Sequence, residues 1–257
     1  MCTMPAIREM TIDQLKVEVY ESRAALGAAA GAAVAARMKQ LLERQDRIRM
    51  IFAAAPSQNE LLAQLVQDRS IDWTRVTAFH MDEYIGLPTD APQAFSRFLR
   101  DRLFGKVDFR EVCLIDPAGD PQGECRRYAG LLQEAPIDIV CLGIGENGHL
   151  AFNDPPIADF RDPASVKIVE LDETCRRQQV NDGCFAALPD VPTHAVTLTI
   201  PTLLAAAHLY CVVPGPTKRQ AVAATLHDPI SVACPSTILR THPDCTLYVD
   251  REAYEQA

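Results

Sequence analysis

A chain of 257 residues, 48% of them hydrophobic, can bury one sizeable core and is short for two, so a single domain over residues 1–257 is expected. Its 34 acidic against 25 basic residues give a formal net charge of −9, which would repel a phosphate backbone and excludes nucleic acid as a main partner. No apolar run reaches the ~18 residues of a membrane span and no signal-peptide pattern opens the chain, so a cytoplasmic protein with no membrane partner is expected.

In chain order, Ser22 precedes the alanine-rich run Ala24 to Met38, which predicts a helix over 22–44 that is amphipathic or buried. The run Arg47-Ile-Arg-Met-Ile-Phe-Ala-Ala-Ala55 predicts a strand over 47–55, and Pro56-Ser57-Gln58-Asn59 then opens a helix over 59–68. Free N–H groups at such a helix start attract an anion, with the Ser57 hydroxyl as an added donor; simple capping by Ser57 or Asn59 explains the same residues. A strand over 75–80 and a helix over 92–104 follow. Further short strands are predicted near 112–115, 137–142, 166–171, 195–200, 208–213 and 246–249, with helices near 121–133, 174–183 and 216–226. This alternation implies α/β architecture with a mostly parallel central sheet flanked by helices and joined by right-handed crossovers.

Two of these strands run into chemistry. After the strand at 75–80 come Asp82 and Glu83, then Gly86 and Pro88. A carboxylate at a strand end in a partly dry cleft suits a general base, while capping of the next helix is the plainer reading. After Ile137-Asp-Ile-Val-Cys-Leu142 comes Gly143-Ile-Gly-Glu-Asn-Gly-His-Leu-Ala-Phe-Asn-Asp-Pro155. Gly143, Gly145 and Gly148 let the backbone turn and approach a ligand closely. Ligands of open α/β sheets sit beyond the carboxyl ends of the strands, so Asp82, His149 and Asp154 would converge there as an acid/base set. Residues 143–148 also fit the dinucleotide spacing GxGxxG, but Asn153-Asp-Pro-Pro156 interrupts the helix that motif requires, and the Walker pattern is missing, so no nucleotide cofactor is expected. Nine cysteines stand singly, without a CxxC pair or zinc spacing, and read as small hydrophobes in a reducing compartment; no metal is expected. His80, two residues before Asp82, lies on the same side of the strand and is read as either structural or touching the site.

At these two loops the sequence resembles the glucosamine-6-phosphate deaminase family, in Met81-Asp82-Glu83-Tyr84-Ile85-Gly86-Leu87 and in Gly143 through Pro155. Weaker likeness runs from Phe52 to Val249, including Thr193-His-Ala-Val-Thr-Leu-Thr199 and Val213-Pro-Gly-Pro-Thr-Lys-Arg-Gln-Ala221. The resemblance implies a Rossmann-like fold of the sugar-phosphate isomerase type and a cofactor-independent conversion of an amino-sugar phosphate to a ketose phosphate and ammonia. It implies Asp82 as the base between C2 and C1 and His149 as the group that opens the ring. Asp154 stands where the family has glutamate, and Asn147, where many members have aspartate, still able to hydrogen-bond the imidazole. Glu83, Gly145 and Gly148 would meet the substrate; Ser57, Gln58 and Lys218 would hold its phosphate; and Arg177 or Arg176 would be the lid arginine. The family's phosphate-loop glycine is missing near Ala55. The partner implied is a small sugar phosphate, with homo-oligomerisation left open; a lactonase of phosphorylated sugars and a non-catalytic sugar-phosphate sensor are the competing readings.

Overall fold

The computed structural model describes residues 4–88 and 90–255; Cys2 lies outside them. A hairpin comes first, β1 (Arg8–Ile12) and β2 (Leu15–Tyr20), followed by α1 (Arg23–Leu42), whose first turn is capped by Ser22. Next come β3 (Ile48–Phe52), a 3-10 turn at Pro56–Gln58 leading into α2 (Asn59–Gln67), β4 (Val76–His80) and β5 (Asp82–Tyr84). A short α3 (Phe95–Leu99), continued by one π turn to Phe104, precedes β6 (Glu111–Cys113), α4 (Pro121–Gln133) and β7 (Ile139–Leu142). The chain then forms β8 (Val166–Glu170), α5 (Glu173–Asn181), β9 (His194–Leu198) and α6 (Ile200–Leu204). It ends with β10 (His208–Val213), α7 (Arg219–His227), β11 (Cys245–Asp250) and α8 (Arg251–Tyr254).

Eight strands make one sheet in the order β1-β2-β11-β10-β7-β3-β4-β6, parallel throughout except for the β1/β2 hairpin at one edge. The expected α/β fold with a mostly parallel sheet is therefore present. β3, β4, β7 and β11 are buried along their whole length because helices cover both faces, which is why their sequences are mostly apolar, interrupted by single buried polar residues such as Arg49, Thr77 and Thr246. Alternate residues of β3 feed the two halves of the core, Met50 and Phe52 on one side and Ile51 on the other. From β3 the chain builds outward through β4 to β6, then returns beside β3 with β7 and builds the other way through β10 and β11. The switch point of the sheet thus lies between β3 and β7, where a crevice opens beyond the strand ends.

Two expectations need correction. The segments at 166–171 and 195–200 do not join the parallel sheet: β8 and β9 pair antiparallel with each other, and β9 pairs with β5 to give a separate three-stranded sheet. The opening hairpin was not anticipated, because its signal is the alternation Leu15, Val17, Val19 inward with polar residues between, not an apolar run. Helix α1 packs on α2 through Gly27, where an added Cβ would stand 2.2 Å from Glu60 Cβ; the helices can approach this closely only without side chains there. Among the described residues no helix is long and apolar enough to cross a membrane.

Candidate active site

A cavity of about 280 Å³ opens at the carboxyl ends of β3, β4, β7 and β10, at the switch point. β4 delivers Met81 and Asp82 to its wall, and Asp82 is fixed there because it also starts β5, paired with Thr197 of β9. The carboxyl is 7% exposed and makes no side-chain hydrogen bond among the described residues. Burial, with the neighbouring Glu83 charge adding to it, holds its pKa well above the usual carboxylate range. Glu83 points the other way: its carboxylate accepts the N–H groups of Tyr84 (3.1 Å), Phe95 (3.0 Å) and Ser96 (2.8 Å), and so caps α3. The plainer capping reading holds for Glu83, which does not line the cavity.

His149 reaches the cavity on a tight turn after β7, its ring lying against Gly145; a Cβ at Gly145 would stand 2.2 Å from the imidazole Cε1. Gly148 takes φ +83 to reverse the chain, but faces Cys234 Sγ, 2.5 Å from where its Cβ would be, and not the cavity. No helix follows this turn, where the sequence places Asn153-Asp-Pro-Pro156. Behind the imidazole, Asp154 is fully buried with Oδ1 3.0 Å from His149 Nδ1. Burial by itself would raise the Asp154 carboxyl; His149 first, then Asn147 and Cys175, outweigh it and hold the pKa below the ordinary value. Asn147 does not bond the imidazole as expected. Its amide donates to Asp154 Oδ1 (2.9 Å) and its Oδ1 accepts the His149 backbone N–H (3.1 Å), so it clamps the turn and the carboxylate. Asn153 ties the same turn to β9 by donating to Leu150 O and Leu198 O, both at 2.9 Å.

At the helix-start side, Ser57 and Lys218 line the cavity. Gln58 lies beneath it, donating to Ser57 Oγ (3.1 Å), Leu142 O (3.2 Å) and Val212 O (3.4 Å), and so joins the ends of β7 and β10 instead of meeting a ligand. Lys218 is 7% exposed and its ammonium group makes no hydrogen bond among the described residues; burial lowers its pKa, opposed by Asp182 and Glu146. Arg177 is paired with Glu173 in solvent, and Arg176 donates to Leu188 O (2.9 Å) and Val191 O (2.8 Å); neither lines the cavity. α5 offers Gln178 and Gln179 to the cavity instead.

The sequence reading missed Arg23, which lines the cavity from the start of α1, its Nε 2.6 Å from Glu60 Oε1 and its guanidinium also bonded to Pro56 O. The signal was present: Arg23, Gly27 and Gly31 recur every four residues, which puts Arg23 on the helix face that meets α2. His80 is wholly buried, its Nε2 accepting the Ile115 N–H at 2.8 Å and its pKa pushed down by burial to about 3, so it is structural. Cys175 of α5, buried behind the turn, brings its Sγ, a His149 ring nitrogen and an Asp154 oxygen within 4.8 Å of one another.

Residues 21–247 match the sequence profile of the family described as glucosamine-6-phosphate isomerases/6-phosphogluconolactonase. The chain is 38% identical over 203 residues to a glucosamine-6-phosphate deaminase of Listeria innocua, covering 79% of this chain and 84% of that one, and 39% identical over 191 residues to one of an Exiguobacterium, covering 74% and 73%. Among solved structures, a monomeric glucosamine-6-phosphate deaminase superposes with TM-score 0.84 at 30% identity, over 92% of this chain and 98% of the other. A 6-phosphogluconolactonase of Thermotoga maritima superposes with TM-score 0.76 at 19% identity, over 92% of this chain and all (100%) of that one, a likeness of fold alone. By match along most of its length and by superposition of its sheet, this chain is a member of the glucosamine-6-phosphate isomerase/6-phosphogluconolactonase family.

Proposed function

We propose that the protein is an isomerising deaminase that converts glucosamine 6-phosphate and water to fructose 6-phosphate and ammonia, a net hydrolysis of one C–N bond. The observation that carries this reading is a buried, proton-hungry carboxylate, Asp82, and an imidazole backed by a carboxylate, His149 with Asp154, on the wall of one cavity that also holds two cations, Lys218 and Arg23.

His149 moves the proton between the ring oxygen and C1 hydroxyl as the pyranose opens, and the Asp154 carboxylate stabilises the imidazolium formed on the way. Asp82 then takes the C2 proton of the open aldehyde. The electron pair of that bond shifts toward the C1 carbonyl, whose oxygen takes a proton from the substrate's ammonium group, and leaves an enolamine. Return of the proton to C1 gives a C2 imine, which water attacks, and ammonia departs. Every step is proton transfer or addition of water, so the reaction needs no redox cofactor. Lys218, Arg23 and the Ser57 hydroxyl take the phosphate, Lys218 recovering in that ion pair part of what its burial cost. The lactonase alternative rests on shared fold, since those structural neighbours are below 20% identical.

The test is Asp82→Asn, which keeps the shape of the side chain and removes the base. Ammonia release should fall by about 10³-fold or more while glucosamine 6-phosphate still shifts the melting temperature. In the unaltered enzyme the acid limb of kcat/KM should lie above the ordinary carboxylate range: the rate needs ionised Asp82, burial raises its pKa, and protonation therefore cuts activity at a higher pH than for an exposed aspartate. Undiminished ammonia release by the variant overturns the reading.

A further inference from the structure

We propose that His149, Asp154 and Cys175 form a binding site for a thiophilic divalent cation of the Zn²⁺ type, and that its occupancy stops turnover by engaging the imidazole and stapling α5 to the turn after β7.

The three donors come from two separate parts of the chain, two from the turn after β7 and one from α5, and their ligating atoms lie within 4.8 Å of one another. All three residues are buried, at 8%, 0% and 1% exposure. Two of the donor atoms are incompletely satisfied. His149 Nδ1 is 3.0 Å from Asp154 Oδ1 yet off the line of a good hydrogen bond, and Asp154 Oδ2 has no neighbour to bond beyond the Cys175 thiol, because the Asn147 amide engages only Oδ1. Buried polar atoms without partners are costly, and a cation is one way to satisfy both at once. Imidazole nitrogen, carboxylate oxygen and thiolate sulfur are the donor types that zinc takes, at about 2.0–2.3 Å each. A tetrahedral ion at those lengths holds its ligand atoms about 3.5 Å apart, so closure from the observed spacing needs side-chain movements of about 1 Å. Of the three residues only His149 lines the cavity, so an ion enters past the edge of its ring, and a water completes the fourth position. On binding, the Cys175 thiol releases its proton to solvent, so the thiolate and the Asp154 carboxylate balance the charge of the ion, with no change in oxidation state. The linear spacing of these residues resembles no zinc motif; only the fold makes them neighbours.

Because α5 carries Gln178 and Gln179 to the cavity wall, a metal bridge from Cys175 also fixes that wall. The site therefore works against turnover: the imidazole that opens the sugar ring becomes a ligand.

The experiment loads chelator-treated, reduced, full-length protein with Co²⁺ and with Zn²⁺, and follows the thiolate-to-cobalt charge-transfer absorption and equilibrium dialysis. Unaltered protein should bind one ion per chain with the thiolate band, and Zn²⁺ should inhibit ammonia release. Cys175→Ala and Cys175→Ser should lose the band, bind Zn²⁺ about tenfold or more weakly, and need correspondingly more Zn²⁺ for half inhibition relative to their own metal-free rates. Asp154→Asn, which keeps the thiol, gives a second route should the Cys175 variants not fold: it should weaken Zn²⁺ binding by a similar factor. An unchanged band and affinity in these variants would assign the metal to the other cysteines and overturn the proposal, as would failure of the unaltered protein to take up a stoichiometric ion.

Discussion

Lys218 and Arg23 carry the same charge into one cavity in different states of readiness. Lys218 is nearly buried and its ammonium group has no hydrogen-bond partner among the described residues, so an arriving anion relieves its desolvation. The Arg23 guanidinium is partly exposed and already shared with Glu60 and the Pro56 carbonyl. Removal of Lys218 should therefore hurt more. A lost charge-assisted contact of about 1.5–3 kcal/mol corresponds to roughly 10- to 150-fold, so Lys218→Ala should raise KM for glucosamine 6-phosphate within that range and Arg23→Ala toward its lower end, with smaller changes in kcat. Steady-state kinetics on the phosphorylated sugar and on plain glucosamine check this. If both substrates suffer equally, the cations act on something other than phosphate. Glu83 and Arg177 show the opposite outcome, since each is charged and near the site in sequence yet occupied elsewhere, one by the N–H groups of α3 and the other by Glu173.

At the scale of elements, the site depends on how two strand ends are finished. β4 passes Asp82 directly into β5, whose pairing with β9 fixes the direction of that carboxylate. β7 ends in a turn that seats the His149 ring on Gly145 and is closed by the Gly145 N–H donating to His149 O at 3.0 Å. A methyl at Gly145 has no room except by moving the ring. Gly145→Ala should accordingly reduce kcat about 10²-fold, as expected for a displacement of about 1 Å, while folding stability falls by about 1–3 kcal/mol. Kinetics beside thermal denaturation separate these effects; full activity in this variant would mean that the imidazole position is not critical.

Over the whole molecule, the sheet joins chain ends that are far apart in sequence. β2 pairs with β11 along Lys16 to Tyr20, so the opening hairpin closes the edge that β11 would otherwise expose. Deleting residues 1–20 leaves Arg23 and the cavity residues in place but removes the buried Leu15, Val17 and Val19, each contributing about 1.5–3 kcal/mol. That sum is a large part of a typical folding free energy, and a bare apolar edge invites pairing between chains. The truncated protein should aggregate or melt much lower, as read by size-exclusion chromatography and calorimetry; an unchanged elution volume with an unchanged melting temperature would refute this role. The parallel sheet was legible in the residues because β3, β4, β7 and β10 are covered on both faces and so are written mostly in apolar residues. The strand-end loops were legible because glycine, histidine and carboxylates there depart from that pattern. By contrast, the β5-β9-β8 sheet, the facing of Glu83, the withdrawal of Arg176 and Arg177, the arrival of Arg23 and the meeting of Cys175 with His149 were settled by packing between distant segments. Local sequence records whether a residue is covered and with what period. Which groups then meet across a cavity depends on long-range partners, such as β9 for Asp82 and α2 for Arg23, that no single stretch of chain encodes.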